Sequence, residues 1–143
     1  MTDITILTCQ KFLELGQSPL EQNILLERQL LTKALEARDL TVICRAWDDP
    51  TYDWTQTHAV VFRTIWDYFE RYDEFSAWLE EVRTKTQLVN PYELIQWNAD
   101  KHYLADLEAK GITIVPTAYV DTGGYRSIEA VCQSRNWKDV IIK

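Results

Sequence analysis

The sequence predicts an α/β fold in which a small parallel sheet is wrapped by helices, and three observations carry that prediction. Short apolar runs alternate with stretches whose apolar residues recur at helical spacing. One of those stretches opens on a strong helix-start signature, Ser18-Pro19-Leu20-Glu21. A later run, His58-Ala59-Val60-Val61-Phe62-Arg63, is almost continuously apolar, as a parallel strand buried on both faces should be.

Taken in order, Asp3 to Thr8 reads as a short strand through Ile4, Ile6 and Leu7. Ser18 is placed as N-cap, Pro19 at the first helical position and Glu21 as the reciprocal partner of a capping box. The helix that follows runs to about Arg38, with Leu20, Ile24, Leu31 and Leu35 as a one-sided stripe. Leu40 to Arg45 is the second strand and His58 to Arg63 the third, expected to be central. Between them lies Trp47-Asp48-Asp49-Pro50-Thr51-Tyr52-Asp53-Trp54, whose proline and acidic residues exclude a helix interior. A second helix is expected from about Asp73 to Gln87, with Phe75, Leu79 and Val82 on one face, before Asn90-Pro91 breaks the pattern. Asn98-Ala99-Asp100-Lys101 is read as opening a third helix that closes at Gly111. Strands are expected at Ile112 to Val120 and at Val140 to Lys143.

This order implies a Rossmann-like parallel sheet with right-handed crossovers, whose ligands bind beyond the carboxyl ends of the strands. Three segments should meet that edge: Cys9 to Leu15, Trp47 to Trp54 and Thr64 to Arg71. Arg63, at the end of the central strand, is a candidate clamp for an anionic group, because a guanidinium fork matches carboxylate or phosphate. The alternative is an ion pair with Asp48, Asp49 or Asp67.

Composition narrows the function. The 143 residues are 46% hydrophobic and 26% charged, enough for one compact core. A net charge of −7 argues against nucleic acid, which needs clustered lysine and arginine. No run approaches the length of a membrane helix, and Met1-Thr2-Asp3 opens no signal peptide, so the chain is read as cytoplasmic. Cys9, Cys44 and Cys132 are odd in number and far apart, which fits reduced, mostly buried thiols rather than a zinc or redox motif. Asp48, Asp49 and Asp53 match no calcium loop, and Thr122-Gly123-Gly124-Tyr125 reads as a tight turn rather than a phosphate cradle. Trp66, Trp78 and Trp97 fit core or interface anchors; Trp47 and Trp54 are open between core and crevice.

The residues Asn90-Pro91, Trp97-Asn98-x-Asp100-Lys101-x-x-Leu104-x-x-Leu107, Gly111-Ile112-x-x-Val115-Pro116-Thr117 and Trp137-x-x-Val140-Ile141-Ile142-Lys143 resemble the ATP-grasp superfamily, in its glutathione-synthetase-like branch. The segments Trp47-Asp48-Asp49-Pro50 and Arg63-x-x-Trp66-Asp67-Tyr68 resemble the N-terminal, pre-ATP-grasp domain of a subgroup that includes a cycloserine-forming cyclo-ligase. The resemblance implies a pre-ATP-grasp domain at residues 1–90 and the beginning of an ATP-grasp domain, its first helix and strands, at 91–143. It implies that Lys101 lies over the nucleotide phosphates and that Lys143 contacts the phosphates or the adenine side.

By the same resemblance the chain is the N-terminal portion of an ATP-dependent carboxylate-amine ligase working through an acyl-phosphate. ATP and Mg²⁺ would belong to the full-length parent, and the C-terminal half of the site would come from a partner segment. Alone, the chain is expected to be inactive and to bind neither tightly. The competing reading is a non-catalytic Rossmann-like binding module that acts with a partner in trans. An unpaired apolar strand at Val140 to Lys143 would also invite a homodimer or leave a disordered tail.

Overall fold

The structure is a computed structural model and describes residues 1–14, 16, 18–120 and 127–142. Lys143 and the Thr122-Gly123-Gly124-Tyr125 turn lie outside the described residues. The chain divides into two compact units, Met1–Ala99 and Asp100–Lys143.

The first unit is a parallel sheet of β1 (Thr2–Thr8), β2 (Val42–Ala46), β3 (Thr57–Thr64) and β4 (Gln87–Val89), in the order β2-β1-β3-β4. Its helices are α1 (Pro19–Glu36), α2 (Tyr72–Val82) and α3 (Tyr92–Ala99). The α/β class and the parallel sheet flanked by helices are therefore as the sequence predicts, with β1 and β3 central.

The capping box forms as its residue types require: the Glu21 amide donates to Ser18 Oγ at 3.3 Å, and the Ser18 amide donates to Glu21 Oε2 at 3.1 Å. Register fixes the two faces of the sheet. Ile6 sits beside Cys44 and Val61, while Leu7 sits beside Arg45 and Phe62. Because side chains alternate along a strand, Ile6 and Val61 share the α1 face and Leu7, Val60 and Phe62 share the other.

On that second face Leu7 and Val60 join Phe75, Leu79 and Val82 of α2 in one buried cluster. Spacings of four and three turn those α2 residues inward together, and each buried side chain of this size contributes about 2 to 3 kcal/mol. The buried hydroxyls are satisfied in pairs. Thr5 Oγ1 donates to Thr57 Oγ1 at 3.0 Å, and Thr8 and Thr64 hydroxyls meet at 2.7 Å.

Four expectations need correction. The second helix ends at Val82 rather than Gln87. Gln87 to Val89 instead pair with Ala59 to Val61 as β4, and Thr86 Oγ1 donates to the Thr57 carbonyl at 2.9 Å. The β-branched Thr84 and Thr86 are poor helix formers, and the pairing places Leu88 beside Val60 in the core. Asn98 does not open a helix but lies within α3, whose Tyr92 and Ile95 pack on the core of the first unit.

The third helix is α4 (Tyr103–Ala109), after a break at Asp100. There the Asp100 carboxylate accepts the His102 amide at 2.9 Å, a local bond that competes with helix. The stop at Gly111 is as predicted: its φ is +80°, and the Ile112 amide reaches back to the Leu107 carbonyl at 3.1 Å.

Neither Ile112 to Val120 nor the described part, residues 140–142, of the expected Val140 to Lys143 strand is a strand. Val115 and Ile141 are 78% and 86% exposed, and among the described residues no strand lies alongside them. An apolar run without a partner ladder has no reason to stay extended in a sheet. The second unit also contains α5 (Ile128–Arg135), capped by Ser127 Oγ, which accepts the Ala130 amide at 3.1 Å. Among the described residues no helix is long and apolar enough to cross a membrane.

Candidate functional site

All four strands run in the same direction, so the residues after Thr8, Ala46, Thr64 and Val89 gather at one edge. The three segments expected to build a crevice there are tied to one another by backbone bonds. The Cys9 amide donates to the Thr64 carbonyl and the Trp47 amide to the Thr8 carbonyl, each at 3.0 Å.

At this edge a side-chain network centres on Arg71, at the start of α2. Its Nη1 donates to Asp48 Oδ2 at 2.5 Å and reaches Asp67 Oδ2 at 3.4 Å. Its Nη2 donates to Glu74 Oε2 at 2.6 Å. The guanidinium also lies 4.8 Å from the centre of the Trp47 ring, whose Nε1–H donates to Asp67 Oδ1 at 2.9 Å.

Hydrogen bonds to Glu74 and then Asp48 hold the Arg71 guanidinium further above its already high ordinary value, so its charge is permanent. Asp48 Oδ1 is buried without a partner. The second oxygen of that carboxylate is the one polar loose end of the network.

Trp47 and Trp54 belong to the core, not the crevice wall. They are 1% and 5% exposed and make edge-on contacts with Trp78, and Trp47 also meets Phe75 edge-on at 5.5 Å. Trp66 is 46% exposed, with one edge on Phe12.

Asp49 and Asp53 serve turns. Asp49 Oδ1 accepts the Thr51 amide and hydroxyl, and Asp53 Oδ1 accepts those of Thr55, which lowers both carboxyl pKa values. Among the described residues no three of histidine, cysteine, aspartate and glutamate gather where a metal ion could be held.

Arg63 stands apart from the network. Its Nε donates to Glu27 Oε1 of α1 at 2.7 Å and its Nη2 reaches the same oxygen. The expected alternative partners Asp48, Asp49 and Asp67 are not the ones used. Strand alternation explains this, since Arg63 follows Val61 on the α1 face while the acidic loop closes over the other. Beside Arg63, between α1 and the sheet, is a hollow of about 10 Å³ lined by Ile6, Ile24, Leu31 and Cys44, room for a single water.

In the second unit, Lys101 lies in the turn before α4, a helix of seven residues. Its ammonium is 5.7 Å from the Tyr103 ring centre, and its carbonyl accepts the Tyr119 hydroxyl at 3.4 Å. Beside it His102 Nδ1 meets Asp100 Oδ1 at 2.7 Å and stacks on Tyr119 at 4.3 Å. Lys143, the second expected phosphate ligand, lies outside the described residues.

Two of the three thiols are held back from reaction by burial. Burial pushes both Cys9 and Cys44 above the usual thiol range, which disfavours the reactive thiolate.

The depressed carboxylates give a sign for pH dependence. Asp3 is lowered by the Thr41 hydroxyl, Asp49 by Thr51, Asp53 by Thr55 and Asp100 by the His102 amide. A folded pKa below the unfolded one stabilises above the unfolded value, about pH 4, and that contribution is lost as pH falls through the folded value. The urea midpoint should therefore be level from pH 7 to 5 and fall below about pH 4. A midpoint that rises between pH 5 and 3 would contradict these assignments.

Residues 4–90 match the family described as D-cycloserine synthetase DcsG, N-terminal domain. The cycloserine biosynthesis protein DcsG of Streptomyces lavendulae is 42% identical over 93 residues, which are 65% of this chain and 31% of that protein. The crystal structure of D-cycloserine synthetase DcsG superposes with a TM-score of 0.74 at 32% identity, covering 93% of this chain and 42% of that one. The chain thus spans less than half the length of the relatives it matches. With residues 4–90, more than half its length, matched by the family model, the chain belongs to the family of the DcsG N-terminal domain.

Proposed function

We propose that this chain is the pre-ATP-grasp, N-terminal portion of an ATP-dependent carboxylate-amine ligase of the ring-closing kind that the name D-cycloserine synthetase describes. The observation that carries the proposal is the family match over residues 4–90, together with a fold likeness that extends over 93% of the chain. ATP, when bound, would supply the phosphoryl group that turns a carboxylate oxygen into a leaving group, and an amine would then form the amide bond.

The contributions of this chain are binding and orientation. The Arg71 network would keep the carboxyl edge of the sheet rigid, so that substrate meets a fixed wall. Arg63 is the candidate contact for the substrate carboxylate, in competition with Glu27 for the same guanidinium fork. Lys101 is assigned to the nucleotide phosphates and Lys143 to the phosphates or adenine side. The remainder of the nucleotide site would come from a C-terminal half.

The test uses the longer protein in which this chain precedes such a half. It should release ADP in step with amide formation. Lys101→Ala should weaken ATP binding by about tenfold or more, as expected for a lost charged contact worth roughly 1.4 kcal/mol or more. Arg63→Ala should raise the KM for the carboxylate substrate while leaving ATP affinity in place. Unchanged ATP affinity in Lys101→Ala would remove that assignment, and amide formation without ATP cleavage would overturn the ligase reading.

A further inference from the structure

The stripe of α1 that faces the sheet carries charge as well as apolar side chains. Ile24 is 4% exposed, and Glu27, Arg28 and Leu31 follow it at the spacings that share one face of a helix. All four line the small hollow between α1 and the strands, together with Cys44 and Arg63 from the sheet. Two guanidiniums therefore meet at one hollow near the carboxyl edge, Arg63 from β3 and Arg28 from α1. Every one of these residues belongs to the first unit.

The two arginines are held differently. Arg63 gives its Nε–H and an Nη2–H to a single Glu27 oxygen, Oε1. Both side chains of that pair are 46% exposed, and ion pairs of this kind contribute little, so separating them costs little. Arg28 donates from Nη2 to the Phe12 carbonyl, which fixes its head toward the segment that follows β1. Among the described residues these are the only hydrogen bonds of the two guanidiniums, and each has donors to spare beyond them. Two positive charges stand against one negative around the hollow, in a chain whose net charge is −7.

We propose that Arg28 is the second arm of the carboxylate site assigned to Arg63, and that Glu27 is its resident occupant: a small monocarboxylate binds by replacing the Glu27 carboxylate between the two guanidiniums. This rests on the reading of Arg63 as the contact for the substrate carboxylate. Glu27 already shows the Arg63 fork holding a carboxylate in this place. Turning it aside needs only rotation about its own side-chain bonds. The displaced Glu27 stays at the rim, which leaves the site one net positive charge, a match for a monoanion rather than for a phosphate dianion.

Depth agrees with this ligand. The hollow, about 10 Å³, admits a head group and no long body. Its wall of Ile24 and Leu31 is apolar, and burial keeps the Cys44 thiol protonated, so nothing there recruits a second polar group. Glu27 is then a tethered competitor that sets the affinity of the site, since any free carboxylate must displace it.

Titration of the chain with sodium acetate at constant ionic strength, followed by the arginine Nε–H NMR signals, tests the proposal. The expected result is saturable shifts at Arg28 and Arg63 with a common dissociation constant, and none at Arg45, which lies on the other face beside Leu7. Glu27→Gln should tighten acetate binding at least about threefold, a gain that misfolding cannot produce. Arg28→Gln should weaken it about tenfold, whereas Arg45→Gln, with the same change in net charge, should leave it within about twofold. Absence of saturable shifts in the Glu27→Gln chain, shifts at Arg63 without Arg28, or inorganic phosphate binding more tightly than acetate would overturn the proposal. None of these measurements involves ATP. If the longer protein cleaves no ATP, the ligase reading fails while the acetate data still decide the site; if Arg63→Ala raises the KM for the carboxylate and Arg28→Gln does not, the ligase reading stands and the role of Arg28 falls.

Discussion

Replacing Trp47 by alanine should produce the largest loss of stability of any single truncation in the chain, about 4 kcal/mol, and lower the melting temperature by roughly 10 to 20 °C. Several terms act in the same direction. The indole is 1% exposed, so its removal leaves a cavity among Phe75 and Trp78, whose rings it meets edge-on. It also removes the Nε1–H donor of Asp67 and the ring under the Arg71 guanidinium. Trp47→Phe separates packing from hydrogen bonding. Phenylalanine keeps a ring in the slot but leaves Asp67 Oδ1 without its donor, and should cost about 1 to 2 kcal/mol. Urea unfolding of the two variants measures the difference. If Trp47→Phe were as damaging as Trp47→Ala, the contact with Asp67, not the packing, would dominate.

The elements legible in the sequence are those whose instructions are local. α1 starts where Ser18 and Glu21 can bond each other across three residues, and β3 is continuous because every position from Ala59 to Phe62 is apolar. β4 is not legible in the sequence because Gln87-Leu88-Val89 places only Leu88 against the core, and three residues resemble the frayed end of a helix as much as an edge strand. Ile112 to Val120 shows the converse: its composition suits a strand, but a strand also needs a neighbour, and sequence pattern says nothing about neighbours.

The edge network divides in the same way. Its location was readable from the strand order, yet its centre was not. Arg71 finds Asp48 at a separation of 23 residues and Arg63 finds Glu27 at 36, distances that only the assembled sheet closes. Asp48 and Asp67 stood in the sequence as candidate partners of Arg63. Strand alternation sends Arg63 to the other face, and the arginine that opens α2 takes them. The one available signal was spacing: Asp67, Arg71 and Glu74 sit four and three apart, which brings them together wherever the backbone turns helically.

Arg71→Ala should also be costly, at about 2 kcal/mol, even though the side chain is 34% exposed. The exposed arm to Glu74 contributes little, as surface ion pairs usually do. The cost comes from Asp48 and Asp67, whose side chains are only 22% and 23% exposed and which lose their shared cation. Asp48 Oδ1 already lacks a partner, so the variant leaves that carboxylate without any charged contact.

Two controls distinguish this account from simple loss of packing. Arg71→Lys keeps the charge but not the planar fork or the stacking on Trp47, and should recover about half the loss. Asp48→Asn in the Arg71→Ala background should restore part of the stability, because it removes a buried charge that no longer has a counterion. No rescue by Asp48→Asn, together with no recovery in Arg71→Lys, would mean that Arg71 acts through its hydrocarbon stem on Trp47 and that the edge of the sheet is held by packing alone.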